Sequence, residues 1–183
     1  MRISISTLTT LVAASSILLV THANAEEKLE NFHAVLSGFE EIGALNNETG
    51  AIFSGGKGAL DLILNDQTKA INYTLTYSGL SAGVLQAHIH LGKRHVPGGV
   101  MVFFCSNLGN GPAGTPLCPT ASGTVSGMWT PASVQAIAGQ NVTAGDFEAL
   151  VAALRSDTAY GNIHTANFKA GEIRGQIRRP DRD

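Results

Sequence analysis

The stretch that most constrains the fold is Ala70-Ile71-Asn72-Tyr73-Thr74-Leu75-Thr76-Tyr77, where apolar and polar residues alternate without a break. A period of two puts Ile71, Tyr73, Leu75 and Tyr77 on one face of an extended strand. The preceding run, residues 59–64 (ALDLIL), is joined to it by Asn65-Asp66-Gln67-Thr68, a turn sequence, so the two read as a hairpin. Residues 31–37 alternate in the same way, with Phe32, Ala34 and Leu36 on one face. Further strands are predicted over 85–91, 99–104, 122–129, 159–165 and 172–178, with 167–171 as a connecting turn.

Between residues 130 and 155 the period changes. Thr130-Pro131 looks like an N-cap followed by proline in the first helical turn and predicts a short helix through Ile137. Residues 146–155 (DFEALVAALR) have apolar residues at 147, 150, 151 and 154, which is helical spacing. With 183 residues the chain suits one domain, and 44% hydrophobic against 14% charged residues excludes a disordered chain. Twenty-one glycines with only 6% aromatics fit many tight turns. The expected fold class is all-β, a Greek-key β-sandwich with one or two short helices in a long connection.

The N-terminus reads as a targeting signal. Arg2 gives a positive start, residues 8–20 are apolar apart from small hydroxyl residues, and Ala23-Asn24-Ala25 is a small-x-small cleavage pattern followed by Glu26 and Glu27. The expected organisation is a secretory signal peptide over 1–25, a single domain over 26–178 and a flexible tail over 179–183. The expected location is exported, periplasmic or secreted. The apolar run is shorter than the roughly 20 residues of a membrane anchor, and no other stretch is long enough to span a bilayer. A net charge of −2 gives no basic surface for nucleic acid.

Export gives the two cysteines a meaning. Cys105 and Cys118 enclose a segment rich in Gly, Pro and Asn, and an even count in an oxidising compartment points to a disulfide. Their spacing is unlike that of a thiolate metal site, and no histidine lies between them.

The histidines carry the chemical signal. In Ala87-His88-Ile89-His90 the two imidazoles lie two residues apart on a predicted strand, so both point to one face while Ile89 points to the other. So placed they can converge on one ion, or simply sit on a solvated face. His164, in Gly161-Asn162-Ile163-His164-Thr165, lies on another predicted strand that a sandwich could set beside the first. Three imidazoles suit copper, with zinc as the alternative. His95, in the loop Lys93-Arg94-His95-Val96-Pro97, is a candidate fourth ligand, and His33 a further one. Asn162 and Glu172 are candidates to orient a ligand imidazole. Glu172 and Arg174 share a strand face and read equally as an ion pair. No nucleophile-elbow spacing supports a hydrolase.

Several segments together resemble the chordin (CHRD) domain family. The opening motif Phe32-x-Ala34-x-Leu36-Ser37-Gly38, with Glu40 or Glu41 after it, is similar to the family's start. Thr49-Gly50-Ala51 resembles its next turn, and Tyr77-Ser78-Gly79-Leu80 followed by Ala87-His88-Ile89-His90-x-Gly92 its centre. The segment 123–127 and the 145–155 helix match its later part. Tyr160-x-Asn162-Ile163-His164-Thr165 with Gly171-Glu172-Ile173-Arg174-Gly175-Gln176 resembles its closing signature. Two departures are local: Ile42-Gly43-Ala44-Leu45 stands where the family has a Pro-rich stretch, and Arg94-His95 interrupts a Gly-Pro-rich turn.

The resemblance implies an extracellular or periplasmic β-sandwich and leaves the biochemical role open. A weaker, fold-level resemblance is to copper/zinc superoxide dismutase, a Greek-key sandwich with an H-x-H strand and a distant third histidine. Arg174 sits roughly where that family carries an anion-attracting arginine. Three functions follow as expectations: a copper-binding domain for storage, delivery or tolerance; a superoxide dismutase-like copper redox enzyme, in which Arg174 would serve catalysis; or a metal-free extracellular module that binds a protein partner.

Overall fold

A computed structural model describes residues 28–42 and 50–180. The expected signal peptide over 1–25, most of the first departure from the family pattern, and the last three residues of the expected tail lie outside the described residues. Within them the alternating segments form antiparallel strands: β1 (Leu29–Ser37), β2 (Lys57–Asn65), β3 (Ala70–Ser78), β4 (Val84–Leu91), β5 (Gly99–Ser106), β6 (Gly123–Trp129), β7 (Ala159–Thr165) and β8 (Ile173–Gln176). They make one eight-stranded sheet in the order β5-β4-β7-β8-β1-β2-β3-β6. The all-β expectation holds, and the sandwich takes the form of a single sheet curled into a nearly closed barrel. Its two edge strands, β5 and β6, meet across the seam. There the Trp129 indole donates to the Phe103 carbonyl (2.8 Å) and the Tyr73 hydroxyl to the Phe104 carbonyl (3.1 Å).

The two halves of the sheet differ in what covers them. In β2 and β3 every second residue is buried: Leu60, Leu62 and Leu64 on β2, and Ile71, Tyr73, Leu75 and Tyr77 on β3. Phe32, Ala34 and Leu36 of β1 join the same interior. The opposite faces of β2 and β3 meet solvent. Along β7 every residue is buried, because the interior takes one face and loops cover the other. Strand β5 departs from alternation for a different reason. Its register against β4 jumps between Ala87 and His88 and again between Ile89 and His90, so β5 carries extra residues opposite those steps. Such bulges bend a strand and re-aim its side chains. Met101 with Val102, and Phe104 with Cys105, are consequently buried as neighbouring pairs.

The 146–155 segment is helical as predicted: α1 (Phe147–Arg155) begins where the Asp146 side chain accepts from Ala149 N. It buries Phe147, Leu150, Val151 and Leu154. The helix expected from Thr130 to Ile137 is only a 3-10 turn over Pro131–Ser133. Beyond it Val134 is buried in extended conformation and Gln135 N donates to the Met101 carbonyl (2.8 Å), so β5 takes the backbone donors a helix would need. The strand predicted over 59–64 begins slightly earlier, at Lys57, and runs to Asn65. Cys105 and Cys118 form a disulfide that ties the irregular chain after β5 back to that strand. At the start of the expected tail, Arg179 pairs with Glu30.

Candidate metal centre

The pairing of β4 with β7 brings the three histidines together. Gln86 faces His164, His88 faces Asn162, and His90 faces Tyr160. His88 and His90 therefore project from one face of β4, and His164 reaches them diagonally from β7. The alternate residues Ala87, Ile89 and Ile163 turn into the interior and are fully buried. The imidazoles lie on the outer face of the barrel, yet His88 is only 2% exposed and His90 and His164 8% each. Each offers one nitrogen, and the three nitrogens lie within 4.8 Å of one another.

Hydrogen bonding fixes the tautomers of two rings. His90 Nδ1 donates to the Gly98 carbonyl and His164 Nδ1 to the Lys169 carbonyl, both at 2.9 Å. A carbonyl only accepts, so both protons sit on Nδ1 and each Nε2 keeps a bare lone pair. Those two Nε2 atoms, and both nitrogens of His88, are buried without a hydrogen-bond partner. A buried, unsatisfied polar atom costs about 1–3 kcal/mol, so four in one cluster call for a ligand. A borderline-soft cation that accepts imidazole lone pairs would satisfy three of them together. The residues present fit such an ion.

The rings are held neutral. Burial, reinforced by repulsion from His164 and His90, pushes His88 down to about 2. Burial, opposed by the bond to Gly98 and aided by His164 and Arg174, pushes His90 down to about 4. Burial also lowers His164, against the bond to Lys169. Deprotonated imidazole is the form a metal requires.

Around the histidines lies a second layer of contacts. Phe103 packs edge-on against His88 with centroids 4.4 Å apart. Tyr160 stacks on His90 at 4.8 Å, with planes 2° apart. Arg174 lies on the far side of that tyrosine, its Cζ 3.3 Å from the ring centroid. The guanidinium donates to the Lys93 and Val96 carbonyls (3.1 and 3.0 Å), and the Tyr160 hydroxyl accepts from Gly98 N (3.1 Å). Arg174 and Tyr160 thus grip the same loop whose Gly98 carbonyl holds His90.

Other candidates take different places. His95 is more than half exposed and lies 3.4 Å from Glu40, outside the group, so as a fourth ligand it is displaced by its own loop, which turns it outward. His33 is on β1, where its backbone pairs with Arg178, and it too lies outside the group. Asn162 bonds to Glu41, not to an imidazole. Glu172 is fully buried and accepts from Ser54, Ser81 and Thr165 (2.6 to 2.9 Å), which satisfies it without a ligand ring or Arg174. The orienting role expected of Asn162 and Glu172 falls instead to the carbonyls of Gly98 and Lys169. Arg174 is 2% exposed and so does not face incoming solutes.

Two participants escaped the sequence reading. Tyr160 was legible, since it stands two and four residues before Asn162 and His164 on the same strand face. Glu41 was noted only as part of an opening motif. It is buried, and burial raises its carboxyl to about 7, against hydrogen bonds from Ile42 N and Asn162 and the charge of Arg174. The two carbonyls leave no trace in residue identity.

Neither curated proteins nor solved structures matched this chain, and the fold-level likeness to copper/zinc superoxide dismutase has no structural match. The family model described as the CHRD domain matches residues 32–177, which takes in all three histidines, both cysteines and Arg174. The chain belongs to the CHRD-domain family.

Proposed function

We propose that this protein is an exported metal-binding domain that holds one copper ion through His88, His90 and His164, in the service of copper storage, delivery or tolerance. The observation that carries the reading is the cluster of buried imidazole nitrogens, within 4.8 Å of one another and without hydrogen-bond partners. Ligand nitrogens about 2 Å from a three-coordinate ion stand about 3.5 Å apart, so small ring movements would close the set. Copper is favoured over zinc by charge. The three ligands are neutral, and the solvation cost of burying an ion grows with the square of its charge. Cu(I) accepts three imidazoles in a trigonal set, while Zn(II) carries twice the charge and takes a fourth ligand. Burial of the site supports retention of the ion more than turnover at it.

The test is titration of residues 26–183 with Cu(I), under reducing and anaerobic conditions, and with Zn(II), read by calorimetry and elemental analysis. The variant His88→Leu/His90→Leu/His164→Leu runs beside it. Tight one-to-one binding lost in the variant is the expected result. Equal weak binding by both proteins would refute the metal reading.

One observation favours a second reading, a metal-free interaction module. Phe39 and Phe53 are exposed and pack edge to face, with centroids 6.3 Å apart, on the surface. That reading predicts that the triple variant folds and binds its partner unchanged.

A further inference from the structure

A buried arginine beside a cluster of neutral metal-ligand candidates is an expensive arrangement unless its charge has a use. Arg174 is among the largest fully buried side chains of the protein. Its hydrogen bonds go to two neutral backbone carbonyls. Stacking places its Cζ 3.3 Å from the centre of the Tyr160 ring, whose other face lies 4.8 Å from His90, so the charge stands no more than about 8 Å from that imidazole. The carboxylates in its field are Glu41, bonded to Asn162, and Glu40, bonded to Arg94.

Resting on the three-histidine reading above, we infer that Arg174 is a specificity-determining residue, whose buried positive charge tilts the site toward a monovalent metal ion and away from divalent ones. A fixed unit charge about 8–10 Å from the ion, at an effective dielectric constant of about 20, weakens binding on the order of tenfold for each unit of charge on the ion. Zn(II) is therefore penalised about tenfold more than Cu(I). The same side chain also positions His90, through Tyr160 and through the loop that ends at Gly98. That second effect acts on both ions alike and cancels in the ratio of their affinities.

The experiment measures Cu(I) and Zn(II) dissociation constants by competition with a chromophoric chelator, for wild type, Arg174→Met and Arg174→Lys, at pH 8. Arg174→Met keeps a long unbranched side chain and removes the charge, so the ratio of Zn(II) to Cu(I) affinity rises about tenfold. Arg174→Lys keeps the charge and loses the planar fork. It weakens both ions and leaves the ratio near that of wild type. Should Arg174→Met fail to fold, Arg174→Gln removes the charge while keeping a donor for the Lys93 and Val96 carbonyls, and the ratio rises in the same way. A ratio unmoved in Arg174→Met, or raised equally in Arg174→Lys, overturns the inference and leaves the metal site standing. Wild type that binds neither ion overturns the metal reading, and this inference with it.

Discussion

Acid should destabilise the metal-free protein, and the three histidines should be the reason. His88 and His90 titrate at about 2 and about 4 in the fold, far below the 6.5 of an unfolded chain, and His164 is shifted in the same direction. When a folded pKa is depressed, the unfolded chain takes up protons first as the pH falls. Stability is therefore full above about 6.5 and drains away toward the folded pKa. Between pH 7 and pH 5 each fully neutral buried histidine costs about 2 kcal/mol, so His88 and His90 together cost about 4 kcal/mol. His164 adds in the same sense. Glu41 acts oppositely, because its folded pKa of about 7 lies above the 4.5 of an unfolded chain. Over the same interval the fold takes up the proton first and gains about 2 kcal/mol. Glu30, Glu40 and Asp66, whose carboxyls are held low by hydrogen bonds from Arg155, Arg94 and Lys69, titrate below this window. The balance is a loss of at least about 2 kcal/mol, a large share of the roughly 5–15 kcal/mol that a domain has. Urea unfolding at pH 7, 6 and 5, followed by the fluorescence of the single tryptophan, Trp129, measures it. In the variant His88→Leu/His90→Leu/His164→Leu only Glu41 remains, so the slope reverses and stability rises on acidification by about 2 kcal/mol. A wild-type midpoint that is flat or rises between pH 7 and 5, or a variant that loses stability as steeply as wild type, would refute the reasoning.

Three further outcomes can be checked by the same unfolding experiment. Reducing the Cys105–Cys118 disulfide, which spans 13 residues of sequence, should cost about 3 kcal/mol in the chain-entropy account; no change on reduction would mean that the loop is held by its other contacts. Asp146→Ala removes the side chain that caps α1 at Ala149 N and should cost about 1 kcal/mol, with Asp146→Asn recovering most of it. Gly171 adopts φ +136, and a β-carbon there would collide with the Glu41 carboxylate and the Asn162 amide. Gly171→Ala should therefore cost more than about 1 kcal/mol, and a neutral result would show that the Glu41–Asn162 contact yields easily.

What could be read beforehand depended on how local its cause was. Strands β1, β2 and β3 were legible because one of their faces stays wet, so burial alternates with the sequence. The H-x-H pair was legible from strand geometry, since period two alone puts His88 and His90 on one face. That His164 would join them needed the pairing of β4 with β7, which no local pattern encodes. The helix expected after Thr130 failed because proline and the N-cap signal specify how a helix begins, while the contacts of Val134 and Gln135 with the rest of the barrel decide whether it continues. The place of His95 was not legible because a loop histidine has no fixed face. Its residue lies at φ 59, a turn conformation that aims the ring toward Glu40. The partners that orient His90 and His164 are backbone carbonyls, which every residue possesses, so no reading of side chains could single out Gly98 or Lys169.

Strand β4 carries two chemistries because its two faces are dried by different means. Ala87 and Ile89 are dried by the apolar interior, where a polar nitrogen would find neither partner nor space. His88 and His90 face outward, where a bare sheet would be wet and imidazoles would simply be hydrated and free to take up protons. Loops change that, with Gly98 and Lys169 supplying the carbonyls that hold two rings and Lys93 and Val96 supplying those that hold Arg174. The result is a polar cluster with the dryness of a core, walled by Phe103 and Tyr160, in which the lone pairs of His90 and His164 are fixed in direction by bonds on the opposite side of each of those two rings. Such a cluster is costly to fold without a ligand. It would become favourable if an ion replaced the missing hydrogen bonds, and binding at the outer face would then be coupled to the stability of the whole barrel.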